Sequence, residues 1–227
     1  ASAPNYLYKL KLEEDDQLQA GRQYRLILDR GEDLPLVTAT TRTIGNVSVR
    51  QPNSNFTRLV MTSSINLRWE YPEQARLFDI FVRFIYLEEN ADGQPEEKVF
   101  LWKVASAEET DEGTTDAQKQ IDLSGFYEAL GNELQPGPQR TIPQEDYIGF
   151  QINAFGFELA EYLELFNVNS GLTSAEVLPV YTNLEGDQAL GIFSSRFSLE
   201  DNSFEVNPAS LDSLRSGRFT SDLGFSF

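Results

Sequence analysis

Alternation with a period of two runs through most of this chain and is its tightest constraint. In INLRWEY, Ile65, Leu67, Trp69 and Tyr71 share one parity, and Asn66, Arg68 and Glu70 share the other. That is the pattern of a strand with one face in a core and one in water. Pro72 follows and has no N–H to give a ladder, so the strand should end there. In LFDIFVRFIYLEE, Phe78, Ile80, Val82, Phe84 and Tyr86 form one face. Phe81 and Ile85 add apolar groups to the other, which predicts a central strand. NADGQP supplies the positive-φ turn chemistry of a hairpin at Asp92-Gly93, and EKVFLWKVA reads as the returning partner.

The same period recurs at Tyr6–Leu12, at Tyr24–Leu28, at Leu36–Ala39 and at Ile148–Ala154. The final residues alternate at Phe219, Leu223, Phe225 and Phe227 and read as a last sandwich strand. Residues 189–199 read as one bulged strand, because Leu190 and Ile192 lie on one parity and Phe193, Phe197 and Leu199 on the other, with Gly191 at the switch. SAEETDEGTTDAQKQ is acidic and polar and predicts an exposed loop over 106–120, while QPGPQRTIPQ reads as a connector. Two stretches carry helical spacing. Near 124–134, Ser124 is the expected N-cap before Phe126, Leu130 and Leu134; near 157–168, Leu159, Tyr162, Leu163 and Phe166 face one way, with Glu158, Glu161 and Glu164 opposite.

The predicted fold is therefore mostly β: an immunoglobulin- or fibronectin-like β-sandwich with two short helical insertions and extra N-terminal strands. A break near residues 43–55 divides it into an N-terminal β region, 1–44, and a main sandwich, 45–227. The 227 residues, 40% of them hydrophobic, suffice for one large domain or two small ones. No run of apolar residues is long enough for a transmembrane helix. The first residues hold no apolar signal-peptide core, so a signal peptide is read as absent or already removed.

The chain has no Cys and no His, which excludes disulfides, thiol nucleophiles, Cys/His zinc sites and the usual imidazole base. Its net charge of −18 argues against nucleic acid and against anionic lipid as partners. Acid-rich, lysine-poor surfaces also occur in proteins adapted to high salt. The serines of GIFSS and SLDSL lack a nucleophile elbow and a histidine base, which leaves only a Ser-Lys pair. Among 36 acids some pair will always suit a glycosidase, so their number selects nothing. Trp69 and Trp102 fall at core-facing parity, which favours packing over sugar stacking. EENADGQPEE and EETDEGTTD miss the spacing of a calcium loop and read as solvated turns, with a weak surface calcium site as the alternative. Asn46 and Asn55 match the N-glycosylation triplet, and Asp212-Ser213-Leu214 resembles the O-glycosylation signal of Bacteroidota periplasmic proteins, making Ser213 the candidate acceptor.

Three stretches together resemble a Bacteroidota outer-membrane lipoprotein family of unknown function. LQAGRQYRLILDRGEDLPLVTATTRTI, with Gly21 and Tyr24, is similar to its N-terminal strand pair. INLRWEYPEQARLFDIFVRF, with Trp69, is similar to its fibronectin-like middle pair. EVLPVYTNLEGDQALGIFSSRFS is similar to its closing signature at Tyr181, Asn183, Gly186, Gly191, Ile192 and Phe193, although GDQA stands where the family has Gly-Gly. The resemblance implies a protein anchored at the outer membrane through a lipidated Cys not present in this chain, often beside TonB-dependent transporters. It brings no catalytic residues, cofactor or metal. The expected function is a non-enzymatic accessory or ligand-binding subunit whose partner is an outer-membrane β-barrel or other envelope protein. Contact is expected through the acidic loops 87–97 and 106–120 at one end of the sandwich. The alternatives are a carbohydrate-binding module or carboxylate glycoside hydrolase, and a structural or adhesive subunit assembling by strand exchange.

Overall fold

A computed structural model describes residues 13, 17–31, 34–52, 56–57, 60–111, 113–143, 147–170, 181–206 and 208–226. The strands expected at Tyr6–Leu12, the acceptor Asn55 and the terminal Phe227 lie outside these residues. The chain runs β1 (Gln23–Leu28), β2 (Val37–Arg42), β3 (Ser48–Gln51), β4 (Phe56–Thr57), β5 (Ser64–Glu70), β6 (Leu77–Glu89), β7 (Pro95–Glu109) and β8 (Asp116–Asp122). Then follow α1 (Ser124–Glu133), β9 (Arg140–Thr141), β10 (Ile148–Phe155), α2 (Phe157–Ser170), β11 (Arg196–Val206), α3 (Pro208–Ser216) and β12 (Phe225–Ser226). The fold is a mostly β sandwich with helical insertions, as the alternation predicts.

A three-stranded sheet, β3-β5-β8, packs against a seven-stranded one in which β6 lies between β7 and β10. β1 and β2 pair as a separate two-stranded sheet. The buried parity of β5 (Ile65, Leu67, Trp69) meets that of β6 (Phe78, Ile80, Val82, Phe84, Tyr86). Trp69 and Tyr71 set their rings 5.7 and 4.9 Å from that of Phe78. α1 closes one side: Phe126 makes edge contacts with Phe84, Phe100 and Trp102. Gly125 allows this approach, since a Cβ there would lie 2.8 Å from the Trp102 ring.

Several elements differ from expectation. A third helix, α3, occupies PASLDSLRS. Its proline suits a first helical turn, but it buries only Ser210 and Leu214, too little periodicity to stand out in sequence. The 106–120 segment is mostly strand: β7 runs to Glu109 and β8 begins at Asp116, leaving between them a turn at 110–111 and 113–115, with Glu112 outside the described residues. The anticipated bulged strand at 189–199 is irregular up to Ser195, and β11 begins only at Arg196. The C-terminal alternation yields just β12, parallel to β9, after turns that bury Leu223. The cap of α1 is not the Ser124 side chain. Asp122 accepts the Ser124 N–H at 2.9 Å, and that bond holds its carboxyl below the usual range.

The proline-rich connector carries a buried cation. Arg140 donates from Nε to Glu88 Oε2 (2.7 Å), from one terminal nitrogen to Leu223 O (2.6 Å) and from the other to Gln135 O (3.1 Å). Its guanidinium also lies 5.8 Å from the Tyr86 ring centre.

Gly149 faces β11 so closely that a Cβ would fall 1.7 Å from Asp201 O and 2.6 Å from Asn202 Cα, both backbone atoms. Gly149→Ala should therefore destabilise by about 3 kcal/mol or more, read by urea denaturation. Asp122→Ala should lower stability at neutral pH. Because the folded carboxyl is depressed, the gap between wild type and variant should be whole above the ordinary Asp range and close as pH falls through the depressed value, seen in denaturation at a series of pH values.

Candidate functional site

The segment Tyr181–Ser195, expected to be loop then strand, is a loop zipped by side chains. Thr182 Oγ1 donates to Gly191 O (2.9 Å) and accepts the N–H groups of Gly191 and Leu184 (both 3.1 Å). Asn183 Oδ1 accepts the Phe193 N–H at 2.7 Å, while Nδ2 donates to Phe193 O (2.8 Å) and Thr40 O (3.4 Å). One asparagine amide thus does what a stretch of backbone ladder would do. A β-bridge, Thr38 with Glu185, also ties the loop to β2: each N–H donates to the other's carbonyl, at 2.9 and 2.7 Å. Gly186 has φ 150° and sits against Val37, where a Cβ would lie 2.9 Å from Cγ2. This close approach, rather than a reactive elbow, accounts for a glycine there.

The loop is anchored to the start of α2 as well. Glu158 Oε2 accepts from Thr41 Oγ1 (3.0 Å) and Ser194 Oγ (2.9 Å), Ser195 Oγ donates to Arg42 O (2.8 Å), and Gly156 N–H donates to Ser195 O (3.0 Å). Glu158 therefore joins β2, α2 and the loop. Tyr181 OH donates to Glu161 Oε2 at 2.6 Å. Burial, then that bond and the nearby carboxylates, push the phenol's pKa well above its ordinary value. Beside them lies a cleft of about 390 Å³ lined by Glu161, Glu164, Leu165 and Tyr181. Leu159, Tyr162 and Leu163 of the anticipated apolar face are only half-buried, and the Phe166 side chain lies outside the described residues.

The fold thus brings Tyr181, Asn183, Gly186, Gly191, Ile192 and Phe193 together in one loop. The other singled-out residues lie apart. Gly21, at φ 70°, donates its N–H to Thr43 O and leads into β1, where Tyr24 OH accepts the Gln19 N–H. Trp69 is 1% exposed in the sandwich core, which removes it as a stacking platform for sugar, while Trp102 is half-buried and packs against Phe126. Ser213 lies on α3 with its hydroxyl donating to Ala209 O. Sequence reading missed Thr182, Glu158 as a junction, and Arg140. The only local signals were a threonine next to Asn183 and a glutamate two residues after Gly156.

The acidic segments 87–97 and 106–120 lie at opposite ends of the β6-β7 hairpin, so they do not share one contact surface. The part of β7 between them, residues 98–105, spans about 26 Å at the usual rise per residue. The turn 110–115 belongs to the end that carries the closing loop. Arg76 N–H donates to Phe155 O there, one residue before Gly156 meets Ser195. Two open clefts flank this turn. One, of about 540 Å³, involves Glu73, Arg76, Thr110 and Thr114; the other, of about 530 Å³, involves Arg68, Glu109, Asp111 and Asp116. The turn is braced by Tyr71 and Thr114, whose hydroxyls are 2.8 Å apart, and by Arg68 donating twice to Asp116 Oδ2. Among the described residues, no group of three or more carboxylates is placed to hold a metal ion, and no helix is long and apolar enough to cross a membrane.

In comparisons with known proteins, no family model and no curated protein matches the chain.

Asn183→Ala should cost about 1–3 kcal/mol, because it orphans the backbone groups of Phe193. Hydrogen exchange should quicken first at the Phe193 amide and leave β6 protected.

Proposed function

We propose that this chain is a non-enzymatic cell-envelope lipoprotein, an accessory or partner-binding subunit of an outer-membrane complex of the TonB-dependent transporter type. The observation that carries the binding role is the acidic turn 110–115 set between two open clefts. Glu73, Glu109 and Asp111 are exposed around it. Loops held by a rigid sandwich are where binding surfaces usually lie. A surface of this sign attracts a basic patch on a partner and speeds its docking in a salt-dependent way. The envelope setting rests on the resemblance of the strand pairs and the closing loop to the lipoprotein family, and the lipid would be carried by a Cys outside this sequence.

The test is capture of partners from native membranes in mild detergent, read by mass spectrometry. Wild-type bait should retain an outer-membrane barrel in stoichiometric amount. Glu73→Lys with Glu109→Lys and Asp111→Lys should lose most of it while staying folded. Recovery of the wild-type bait alone would sink the reading, and equal capture by the reversed variant would move the binding surface elsewhere.

A further inference from the structure

The long hairpin leaves one side of its second strand open. Among the described residues β7 pairs with β6 alone, so its other edge carries unpaired backbone groups. Its two ends are blunted in the usual ways. Pro95 stands at the start, and register shifts against Ile80 and Phe78, with Ala107 at φ 50°, kink it beyond Lys103. Between these, Pro95–Lys103 pairs with Glu89–Phe81 in unbroken register. This regular stretch exposes two large apolar side chains side by side on the outer face, Val99 at 44% and Leu101 at 42%. Glu97 and Lys103 flank them on the same face. Glu97 is exposed, and Lys103 is half-exposed, 5.3 Å from the Phe81 ring centre and 4.0 Å from Asp79.

We propose that this edge binds a second copy of itself, β7 to β7 and antiparallel about Phe100, joining two seven-stranded sheets across a two-fold axis. The occupant follows from the side-chain order. To continue the sheet, odd residues must face odd residues, since both copies must bury the same face. Centred on Phe100, Glu97 then lies opposite Lys103 and Val99 opposite Leu101, each pair occurring twice. On the inner face Lys98 lies opposite Trp102, suited to a cation over an indole. Shifting the centre to Val99 or Leu101 sets an aliphatic residue against a charge and breaks both ion pairs. Two copies of net charge −18 repel, so the dimer tightens as salt rises and screens them.

Sedimentation equilibrium from about 1 to 200 µM protein tests the pairing. Wild type should show a monomer–dimer equilibrium that strengthens between about 0.02 and 0.3 M salt. Leu101→Lys should be monomeric throughout. Lys103→Glu should weaken the dimer at least about tenfold by opposing it to Glu97, and adding Glu97→Lys should restore it. All these side chains are exposed, and circular dichroism checks that each variant is folded. The natural absence of cysteine gives a second readout: Val99→Cys and Leu101→Cys chains, mixed and oxidised, should cross-link to each other far faster than either does alone. A wild type that stays monomeric over the whole range, a dimer indifferent to Leu101→Lys, or cross-linking no faster in the mixture would overturn the proposal.

Discussion

Burial of the inward row of β6 is the interaction on which the rest of the structure depends. Phe78, Ile80, Val82, Phe84 and Tyr86 are all at or below 5% exposure, and the strand that carries them is hydrogen-bonded on both sides. β5 lays Trp69 over one end of this row, and α1 fits Phe126 beside Phe84 near the other. Each such ring removes well over 100 Å² from water, and the edge-to-face contacts add to that burial. Of the remaining strands, β7, β9 and β10 pair with β6, and β3 and β8 pair with β5, so their positions follow from this row.

The C-terminal part of the sandwich is held by a different kind of contact. A buried guanidinium must be paired and hydrogen-bonded to be tolerated. Arg140 meets that demand with one carboxylate and two carbonyls drawn from Glu88, Leu223 and Gln135. Satisfying it fixes how the connector after α1 and the turns before β12 lie against the end of β6. The same charges act on Tyr86: burial first and then Glu88 push its phenol up, while Arg140 opposes them.

The closing loop shows polar side chains taking over from backbone pairing. Thr182 and Asn183 satisfy amides and carbonyls that no strand reaches, and Glu158 gathers two hydroxyls at the start of α2. The result is a loop of defined shape at the end of the sandwich that also bears the acidic turn. A rigid rim of this kind suits recognition by shape and charge, which is the role proposed for it. The β7 edge lies along the side of the sandwich, so docking at the rim and pairing at the edge use separate surfaces.

The alternation alone determined the strands β5, β6 and β10, their buried faces and the hairpin at Asp92-Gly93, because a period of two with one apolar parity has few other solutions. Composition alone removed histidine and cysteine chemistry. Tertiary structure decided what local pattern leaves open. The mixed parity around Gly191 fits a bulge as well as it fits an irregular loop, and the choice fell to Asn183, ten residues before the Phe193 backbone it pairs. α3 has too few apolar residues to announce itself and is set by the burial of Leu214. The acidic segments could share one end in sequence, but a single long hairpin puts its turn and its open ends at opposite poles. Arg140 sits in a stretch that reads as a Pro/Gly connector, and only the convergence of Glu88, Gln135 and Leu223 makes it a buried cation. These outcomes depend on partners far apart in the chain, and periodicity carries no information about them.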